Sequence, residues 1–259
     1  MISVLLAVNK DHDGLLKKTL KSLESQTYQD WELVVVDDGS KDDTHEVIVD
    51  FQRNHVGKVL ILTNQVNVGL TKSLIWGAKH CKGGYIARID SGDEYFPDKL
   101  KKQIDFLVQN PEYGLIGCGY INRQNGKNKM IKVPISDGLI RKTIHRINPF
   151  AHSCVVMRKE IYEKTGGYDA DIIYGQDYDL WFRFLKITKA ANISECLCFR
   201  NVHDDSISIS KQKLQMKQCL KTQWKYMNKL NLLYYFYLIE PILVMIIPRK
   251  LKRLIKNFF

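Results

Sequence analysis

The sequence has no apolar segment long enough to cross a membrane. Its most apolar stretch, residues 232–247, is interrupted by Glu240 and Pro241 and is shorter than the ~20 residues that a spanning helix requires. Residues 1–9 contain neither a basic segment nor a cleavage site, so they predict a first β-strand and not a secretory signal. We therefore expect a cytosolic protein.

Cysteine is present, but without a metal-binding pattern. Of the six cysteines, only Cys196 and Cys198 stand close together, and no second pair completes a set of four ligands. Reduced thiols are the natural expectation for a cytosolic protein. A Gly-x-Gly-x-x-Gly fingerprint is also missing after the first strand, where the sequence reads Asn-Lys-Asp-His-Asp-Gly. This absence argues against a dinucleotide-binding oxidoreductase.

Acidic residues are nearly absent from the C-terminal part of the chain. Residues 211–259 contain eleven basic residues and a single acid, Glu240, so this tail carries a net charge of +10. The whole chain carries +11, which leaves +1 for residues 1–210. The nearly neutral body argues against nucleic-acid binding. The charge distribution predicts a globular domain over residues 1–210 and a basic tail over residues 211–259.

The first hundred residues alternate between short apolar runs and amphipathic segments. Runs at 2–8, 31–36, 59–62 and 85–89 predict β-strands, and the segments between them have helical spacing. Strands separated by such helices predict a parallel sheet with right-handed crossovers. Further on, 115–121 and 130–133 predict a hairpin around Asn125 and Gly126, and 177–185 predict a helix. The expected fold class is α/β, a mostly parallel, Rossmann-like central sheet flanked by helices, with a basic helical appendage.

Carboxylates stand at the ends of two predicted strands. Asp37 and Asp38 follow one buried strand, and Asp90 and Asp93 follow another. Ligands of open α/β sheets bind beyond the carboxyl ends of the strands, so these side chains predict a site for a polar ligand, in which a divalent metal could take part. One acidic strand end alone would equally fit a turn before a helix N-cap, but two in one sheet favour the binding site.

Six short motifs follow one another along the chain. They are VDDGS at 36–40, NVGLTKSL at 67–74, ARIDSGD at 87–93, NPFAH at 148–152, GGY at 166–168 and QDYDLW at 176–181. With these motifs the chain resembles an inverting glycosyltransferase of family 2, which has the nucleotide-diphospho-sugar-binding fold called GT-A. The resemblance covers residues 2–210. It implies transfer of a sugar from a nucleotide-diphosphate donor, either a UDP-hexose or a UDP-N-acetylhexosamine.

The resemblance also implies roles for donor-site residues. The second Asp of the first motif, here Asp38, accepts the imide hydrogen of uracil in this family, and the end of the first strand lies against the same nucleotide. The alternative is that Asp37 and Asp38 both merely shape the turn. Basic residues near the motifs are candidates for phosphate contacts, or else solvated surface charges. The implied donor-site residues are Ala7, Asn9, Asp38, Lys72, Arg88 and Asp90.

A divalent metal, Mg²⁺ or Mn²⁺, would neutralise the diphosphate leaving group through carboxylate oxygens. The D-x-D segment of the family supplies them, but this sequence has Gly92 where the second Asp stands. We expect Asp93, or a water molecule, to provide the missing oxygen. His203 falls where relatives carry a histidine near the diphosphate or the metal, and a purely structural role is its alternative.

Inversion at the anomeric carbon requires a general base opposite the departing diphosphate. In the family this base is the Asp of a Glu-Asp pair that opens a helix. Here the pair reads Gln176-Asp177, so Asp177 is the expected base, and the alternative is that Asp177 merely caps the helix. Asp179 and Trp181, further along the same helix, are expected on the acceptor side of the pocket.

The tail predicts where the protein acts. Lysines recur at every fourth position from 213 to 229, and residues 249–259 are basic and amphipathic, which is typical of a helix on an anionic bilayer surface. The resemblance implies a lipid-linked saccharide acceptor in the synthesis of bacterial O-antigen, capsule or exopolysaccharide. We therefore expect a peripheral protein on the cytoplasmic face of the membrane. The alternatives are a tail helix packed on the domain, and a catalytically inactive membrane-binding scaffold of the same fold.

Overall fold

The computed structural model describes residues 1–11, 13–124, 126–202, 207–239 and 242. Its first part alternates strand and helix: β1 (Ile2–Val8), α1 (Leu15–Glu24), β2 (Trp31–Asp37), α2 (Thr44–Asn54), β3 (Val59–Thr63), α3 (Leu70–His80) and β4 (Tyr85–Arg88). These four strands are parallel and lie in the order β3-β2-β1-β4. The predicted alternation of strands and helices is confirmed.

The following segments extend the same sheet with strands of both directions. They are β5 (Glu94–Tyr95), α4 (Lys99–Gln109), β6 (Tyr113–Gln124), β7 (Lys127–Ile131), α5 (Asp137–Thr143), a 3₁₀ turn (His152–Cys154), β8 (Val156–Arg158), α6 (Lys159–Lys164), α7 (Gln176–Ile187) and β9 (Lys189–Asn201). The order of the described strands is β3-β2-β1-β4-β8-β6-β9-β5, with β7 paired to β6. Strands β6 and β7 form the predicted hairpin, and Asn125 in its turn lies outside the described residues.

Helices cover both faces of the sheet, which explains why the strands read as continuous apolar runs. Every residue of β1 is buried. Alternate residues of β1 and β2, such as Leu5 and Val34, pack with α3 and α7, while Val4 and Leu33 pack with α1, α2 and α4 on the other face. Burial on both faces is typical of parallel strands. It leaves the carboxyl ends of the strands as the place for polar side chains.

The C-terminal segment contains α8 (Ile207–Ser210), α9 (Gln212–Tyr226) and α10 (Leu232–Tyr237). Helix α9 packs on the rest of the protein. The ring of Tyr226 stacks on Phe182 of α7 with 4.7 Å between centroids, and Gln223 donates hydrogen bonds to the main-chain carbonyls of His145 and Arg146. For α9, the packed helix foreseen as an alternative is therefore what the structure shows.

Helix α10 differs from α9 because none of its residues is buried. Leu232 and Phe236 are 75% and 67% exposed. Along the described ranges, no helix is both long enough and apolar enough to cross a membrane. The basic residues 249–259 lie outside the described part of the chain.

Candidate active site

The candidate site forms at the carboxyl ends of β2, β1 and β4. Strand β1 lies between the other two, with Val8 opposite Asp37 and Leu5 opposite Arg88. Asp38, Asn9 and Asp90 therefore follow three neighbouring parallel strands at one edge of the sheet. The expectation that the two acidic strand ends meet at the same edge is confirmed, and this is the edge where α/β folds bind ligands.

Asp38 is buried, and its carboxylate holds the loop that follows β3. Its Oδ1 accepts hydrogen bonds from Asn64 Nδ2 (2.8 Å) and the main-chain N–H of Val68 (2.9 Å), and its Oδ2 accepts one from the N–H of Gly69 (2.9 Å). Asn9 donates from Nδ2 to the main-chain oxygen of Asp38 at 2.9 Å. Each carboxylate oxygen has two acceptor positions. Oδ2 therefore keeps one acceptor position for a ligand N–H, although Asp38 also shapes the loop.

Gly39 allows the β3 loop to come this close. Its φ is +68°, and a Cβ at this position would lie 2.7 Å from the main-chain carbonyl carbon of Val66. Asp37 uses its own carboxylate locally, accepting from the N–H of Ser40 (3.0 Å) and pairing with His45 Nδ1 (2.9 Å). The turn-shaping role foreseen as an alternative therefore fits Asp37.

Three further donor-site candidates lie at the same edge with different exposure. Ala7 is buried at the end of β1, while Asn9 just after it is exposed. Lys72 is exposed in the first turn of α3, the helix whose N-cap is Gly69. Because Gly69 is bonded to Asp38, Lys72 lies next to the loop that Asp38 holds.

Arg88 lies fully buried beneath Asp90. Its guanidinium donates to the main-chain oxygen of Leu5 at 3.2 Å and pairs with the Asp90 carboxylate, which is 35% exposed. Burial raises the pKa of Asp90, but the positive charge of Arg88, with smaller contributions from its neighbours, outweighs burial and holds that pKa below its usual value. The expectation that Arg88 contacts the donor directly does not fit its complete burial. Its role in the structure is to keep Asp90 ionised and in place.

Asp93 turns inward from the loop that follows Asp90. Gly92 has φ +95°, a conformation that residues with a Cβ rarely adopt. An aspartate would be strained at this position, and the second acid of the loop is Asp93, one residue later. The Asp93 carboxylate accepts hydrogen bonds from Ser153 Oγ (2.5 Å) and from the N–H of Asn201 (3.0 Å), and Arg200 Nε lies 3.8 Å away. Burial raises the pKa of Asp93 to about 7.

These contacts show which carboxylate suits a divalent cation. Asp90 is ionised and partly exposed, and its Oδ2 contacts Ser153 Oγ at 3.1 Å, so Asp90 fits as a metal ligand. Each oxygen of Asp93 accepts one hydrogen bond inside the protein and keeps a second acceptor position, so Asp93 braces the loop and stays a predicted metal ligand beside Asp90. His203 lies outside the described residues.

Asp177 lies in the first turn of α7 and is partly exposed. The N-cap of α7 is Gly175, so the helix-capping alternative does not describe Asp177. Its Oδ2 accepts a hydrogen bond from Asn148 Nδ2 at 2.8 Å. Burial raises the pKa of Asp177, hydrogen bonds from the Tyr178 N–H and Asn148 oppose the rise, and the negative charge of Asp90 adds to it. A partly exposed carboxylate with a raised pKa suits a general base.

Asp179 and Trp181 do not face an acceptor, which corrects the expectation for both. Asp179 is fully buried: its carboxylate accepts hydrogen bonds from Arg183 Nε (2.8 Å), Lys225 Nζ (3.0 Å) and the Tyr226 hydroxyl (3.0 Å). Each residue of an α-helix turns by about 100°, so Asp179 points roughly opposite to its neighbour two positions earlier. Trp181 lies one helical turn after Asp177 and is fully buried.

Further side chains of the site belong to, or directly follow, the NPFAH and GGY motifs. His152 and Tyr168 belong to different motifs, and His152 Nε2 lies 2.7 Å from the Tyr168 hydroxyl. Burial lowers the pKa of His152 to about 3, so the ring is neutral and structural. Ser153, which contacts both loop acids, and Asn148, which holds Asp177, stand in or beside the NPFAH motif. The NPFAH motif was therefore the sequence feature from which Ser153 and Asn148 could have been identified as site residues.

A mostly parallel α/β sheet with carboxylates at one edge, and a partly exposed carboxylate on α7 close enough to sense Asp90, is the architecture expected of a GT-A glycosyltransferase. The profile described as "Glycosyl transferase family 2" matches residues 4–166, and the chain belongs to this family. It is 32% identical over 200 residues to the amylovoran biosynthesis glycosyltransferase AmsE of Erwinia amylovora, covering 76% of this chain and 74% of AmsE. It is 32% identical over 215 residues to the O-antigen biosynthesis glycosyltransferase WbnJ of Escherichia coli, covering 80% and 81%.

Solved structures share the fold at low sequence identity. TarS 1-349 of S. aureus, in complex with UDP, superposes with a TM-score of 0.66 and 18% identity over 85% of this chain, and this chain spans 64% of that structure. The mannosyltransferase PcManGT of Pyrobaculum calidifontis, in complex with GDP-Man and Mn²⁺, gives a TM-score of 0.69 and 15% identity over 99% of this chain and 78% of that one. The expected GT-A fold and glycosyltransferase activity are thereby confirmed.

Proposed function

We propose that this chain is an inverting glycosyltransferase in which Asp177 is the general base. The acceptor hydroxyl attacks the anomeric carbon from the face opposite the diphosphate, Asp177 takes its proton, and the nucleoside diphosphate leaves with the electrons of the broken bond. The observation that supports this role is the position of Asp177. It is partly exposed, Asn148 holds its Oδ2, and it is near enough to Asp90 for the Asp90 charge to raise its pKa.

The donor in this proposal is a UDP-hexose or a UDP-N-acetylhexosamine. Asp38 has an acceptor position left on Oδ2 that suits the imide N–H of uracil, and Ala7 and Asn9 lie beside it at the end of β1. Lys72 is exposed next to the same loop and is a candidate for the phosphates. The structural neighbours were solved in complex with UDP, UDP-GlcNAc or GDP-Man, so the nucleobase must be established by comparing UDP and GDP donors directly.

Asp90 is proposed to bind a divalent metal, Mg²⁺ or Mn²⁺. Arg88 keeps its carboxylate ionised, and Asp90 lies at the exposed edge of the sheet. A bound metal would neutralise the charge that develops on the leaving diphosphate. His203 remains a candidate for a further ligand. A structural neighbour is a complex with Mn²⁺, which supports metal use in this fold.

The acceptor is proposed to be a lipid-linked saccharide of bacterial surface polysaccharide synthesis, reached at the cytoplasmic face of the membrane. The names of the relatives AmsE and WbnJ refer to amylovoran and O-antigen biosynthesis. Helix α10 exposes Leu232, Leu233 and Phe236, directly after the lysine-rich α9. Each basic residue near an anionic leaflet contributes about 1 kcal/mol of attraction. In this proposal residues 1–210 form the catalytic domain, α9 packs on it, and the exposed lysines of α9 contact the anionic membrane surface together with α10.

The competing function is a catalytically inactive, membrane-binding scaffold, which Gly92 in the D-x-D position and Gln176 before the base favour. Donor hydrolysis with Mn²⁺ separates the two. Asp171→Asn is the matched control, because it also removes one acid, exposed and just before α7, and it should release UDP at the wild-type rate. Asp177→Asn should release UDP at least ~100-fold more slowly. If wild type is as inactive as Asp177→Asn across the common nucleotide sugars, the scaffold is supported instead.

A further inference from the structure

Three cysteines that are far apart in the sequence meet in the core of this protein. Cys118 lies on β6, Cys154 ends the 3₁₀ turn, and Cys198 lies on β9, and their sulfur atoms all lie within 4.8 Å of one another. None of the three is more than 1% exposed. The proposed transfer reaction uses none of them. Buried cysteines often act simply as small apolar residues, so a second observation must decide whether this cluster binds anything.

Lys99, the first residue of α4, provides that observation. It is fully buried, and its ammonium finds no hydrogen-bond partner within the described part of the chain, lying 3.7 Å over the ring of Tyr95. Its positive charge acts on the thiols of Cys118 and Cys198. A buried ammonium is costly unless an anion compensates it. The core therefore holds a positive charge close enough to act on two of these thiols, Cys118 and Cys198, and the thiols become anionic when they bind a metal.

We propose that Cys118, Cys154 and Cys198 form a binding site for a thiophilic d¹⁰ dication of the Zn²⁺ class, with Lys99 balancing its charge. Zinc–sulfur bonds are about 2.3 Å long, so three sulfurs in a plane around one ion lie about 4 Å apart. Sulfurs that are already within 4.8 Å of one another need to move by less than about 1 Å to reach this geometry.

The charges of the loaded site also favour a dication. Binding breaks three S–H bonds, releases three protons to solvent and forms three metal–sulfur bonds, with no oxidation or reduction. Three thiolates, one Zn²⁺ and the Lys99 ammonium sum to zero, whereas Cu⁺ would leave one uncompensated negative charge in the core. In the metal-free protein Cys118 and Cys198 donate S–H hydrogen bonds of 3.5 Å to the main-chain oxygens of Cys154 and Ser153, and metal binding would replace these two bonds.

This site would lie directly beneath the donor site and remain separate from it. Cys154 follows Ser153, whose hydroxyl contacts both Asp90 and Asp93. A metal held by Cys154 would therefore stiffen the turn that positions these two acids. Its ligands are sulfur atoms, so it would not compete for the Mg²⁺ or Mn²⁺ expected at Asp90.

The test is metal content and spectroscopy on the full chain, with Cd²⁺ as the optical probe. Protein produced with added Zn²⁺ or Cd²⁺ should retain one ion per chain after dialysis, and the Cd²⁺ form should show sulfur-to-metal charge-transfer absorption. Cys196→Ser and Cys219→Ser, whose thiols lie outside the cluster, are the matched controls and should keep both properties. Cys198→Ser should lose them, and Lys99→Met should bind about 10–100-fold more weakly.

X-ray absorption at the metal edge keeps the proposal testable if a core substitution fails to fold, because it uses the wild-type chain. Three sulfur neighbours are expected. No retained ion, a shell of oxygen and nitrogen alone, or unchanged charge transfer in a folded Cys198→Ser would overturn the site and leave the cysteines as core packing. Retention of Cu⁺ but not of Zn²⁺ or Cd²⁺ would overturn the assignment to a dication.

Discussion

Two aspartates of α7, Asp177 and Asp179, are predicted to differ in what is lost when each is changed to asparagine: activity for the first and stability for the second. Asp177 is partly exposed with Asn148 as its side-chain partner, while Asp179 is buried among Arg183, Lys225 and Tyr226. Asp177→Asn should therefore abolish turnover and preserve stability. Asp179→Asn should lower stability, because it removes the negative charge that two cations share.

Asp179 is buried, but Arg183 and Lys225 are partly exposed and can be solvated when the carboxylate is removed. Loss of the charged hydrogen bonds should therefore cost about 1.5–3 kcal/mol of unfolding free energy. In a protein of this size, 1 kcal/mol corresponds to about 2–4 °C in Tm, so Asp179→Asn should lower Tm by about 3–12 °C. Asp177 is partly exposed and gives up a single side-chain hydrogen bond, so Asp177→Asn should stay within about 1 kcal/mol of wild type.

Denaturant unfolding and UDP-release kinetics on the same two proteins check this pair. Since Asp179 fixes α9 to α7, Lys225→Met should reproduce part of the stability loss without a direct effect on chemistry. The reasoning is refuted if Asp179→Asn is as stable as wild type and instead raises the KM for the acceptor. That outcome would restore the acceptor-side role that the sequence predicted for Asp179.

Three other predictions follow from the structure. Asn148→Ala should move the acid limb of the rate–pH profile to higher pH, since the Asn148 hydrogen bond lowers the pKa of Asp177, and an unmoved limb would contradict this role. Burial raises the pKa of Asp93 from the ordinary 3.8 to about 7, so the folded state holds the carboxyl proton more tightly than the unfolded state. The free energy of unfolding should therefore fall as pH rises from 3.8 to about 7. Asp93→Asn should reduce this pH dependence when unfolding is measured in EDTA. Removing the residues after Lys229 should weaken binding to anionic vesicles at nearly unchanged Tm. Removing the residues after Ser210 should also lower Tm, because α9 is lost. Full vesicle binding by both shortened proteins would contradict the membrane role.

The parts of the fold that the sequence predicted correctly are those in which local pattern and burial agree. β2 is a continuous apolar run because both of its faces are covered, and it ends where Asp37 and Asp38 reach the sheet edge. The position of Asp177 in the first turn of its helix was also predictable, since the helical pattern begins there. Gly175, which caps that helix, leaves the Asp177 side chain available for the site.

The errors concern side chains whose partners are distant in the sequence. The bonds from Asp93 to Ser153 and Asn201 were not predicted, because its own segment does not reveal these partners. Asp179 was expected on the acceptor side, but it bonds to Lys225 of a segment that looked like a free tail. The cysteine cluster was invisible for the same reason, because its members come from three separate elements and their spacing matches no metal motif.

The anomeric configuration of the first sugar released from the donor tests Asp177 as the base of an inverting transferase most directly. Sugars in UDP-hexose donors are α-linked, so early hydrolysis by the wild-type protein, followed by NMR before mutarotation, should yield the β-anomer. Asp177→Asn should be at least ~100-fold slower while it binds UDP with wild-type affinity. Release of the α-anomer, or wild-type turnover by Asp177→Asn, would contradict the inverting mechanism.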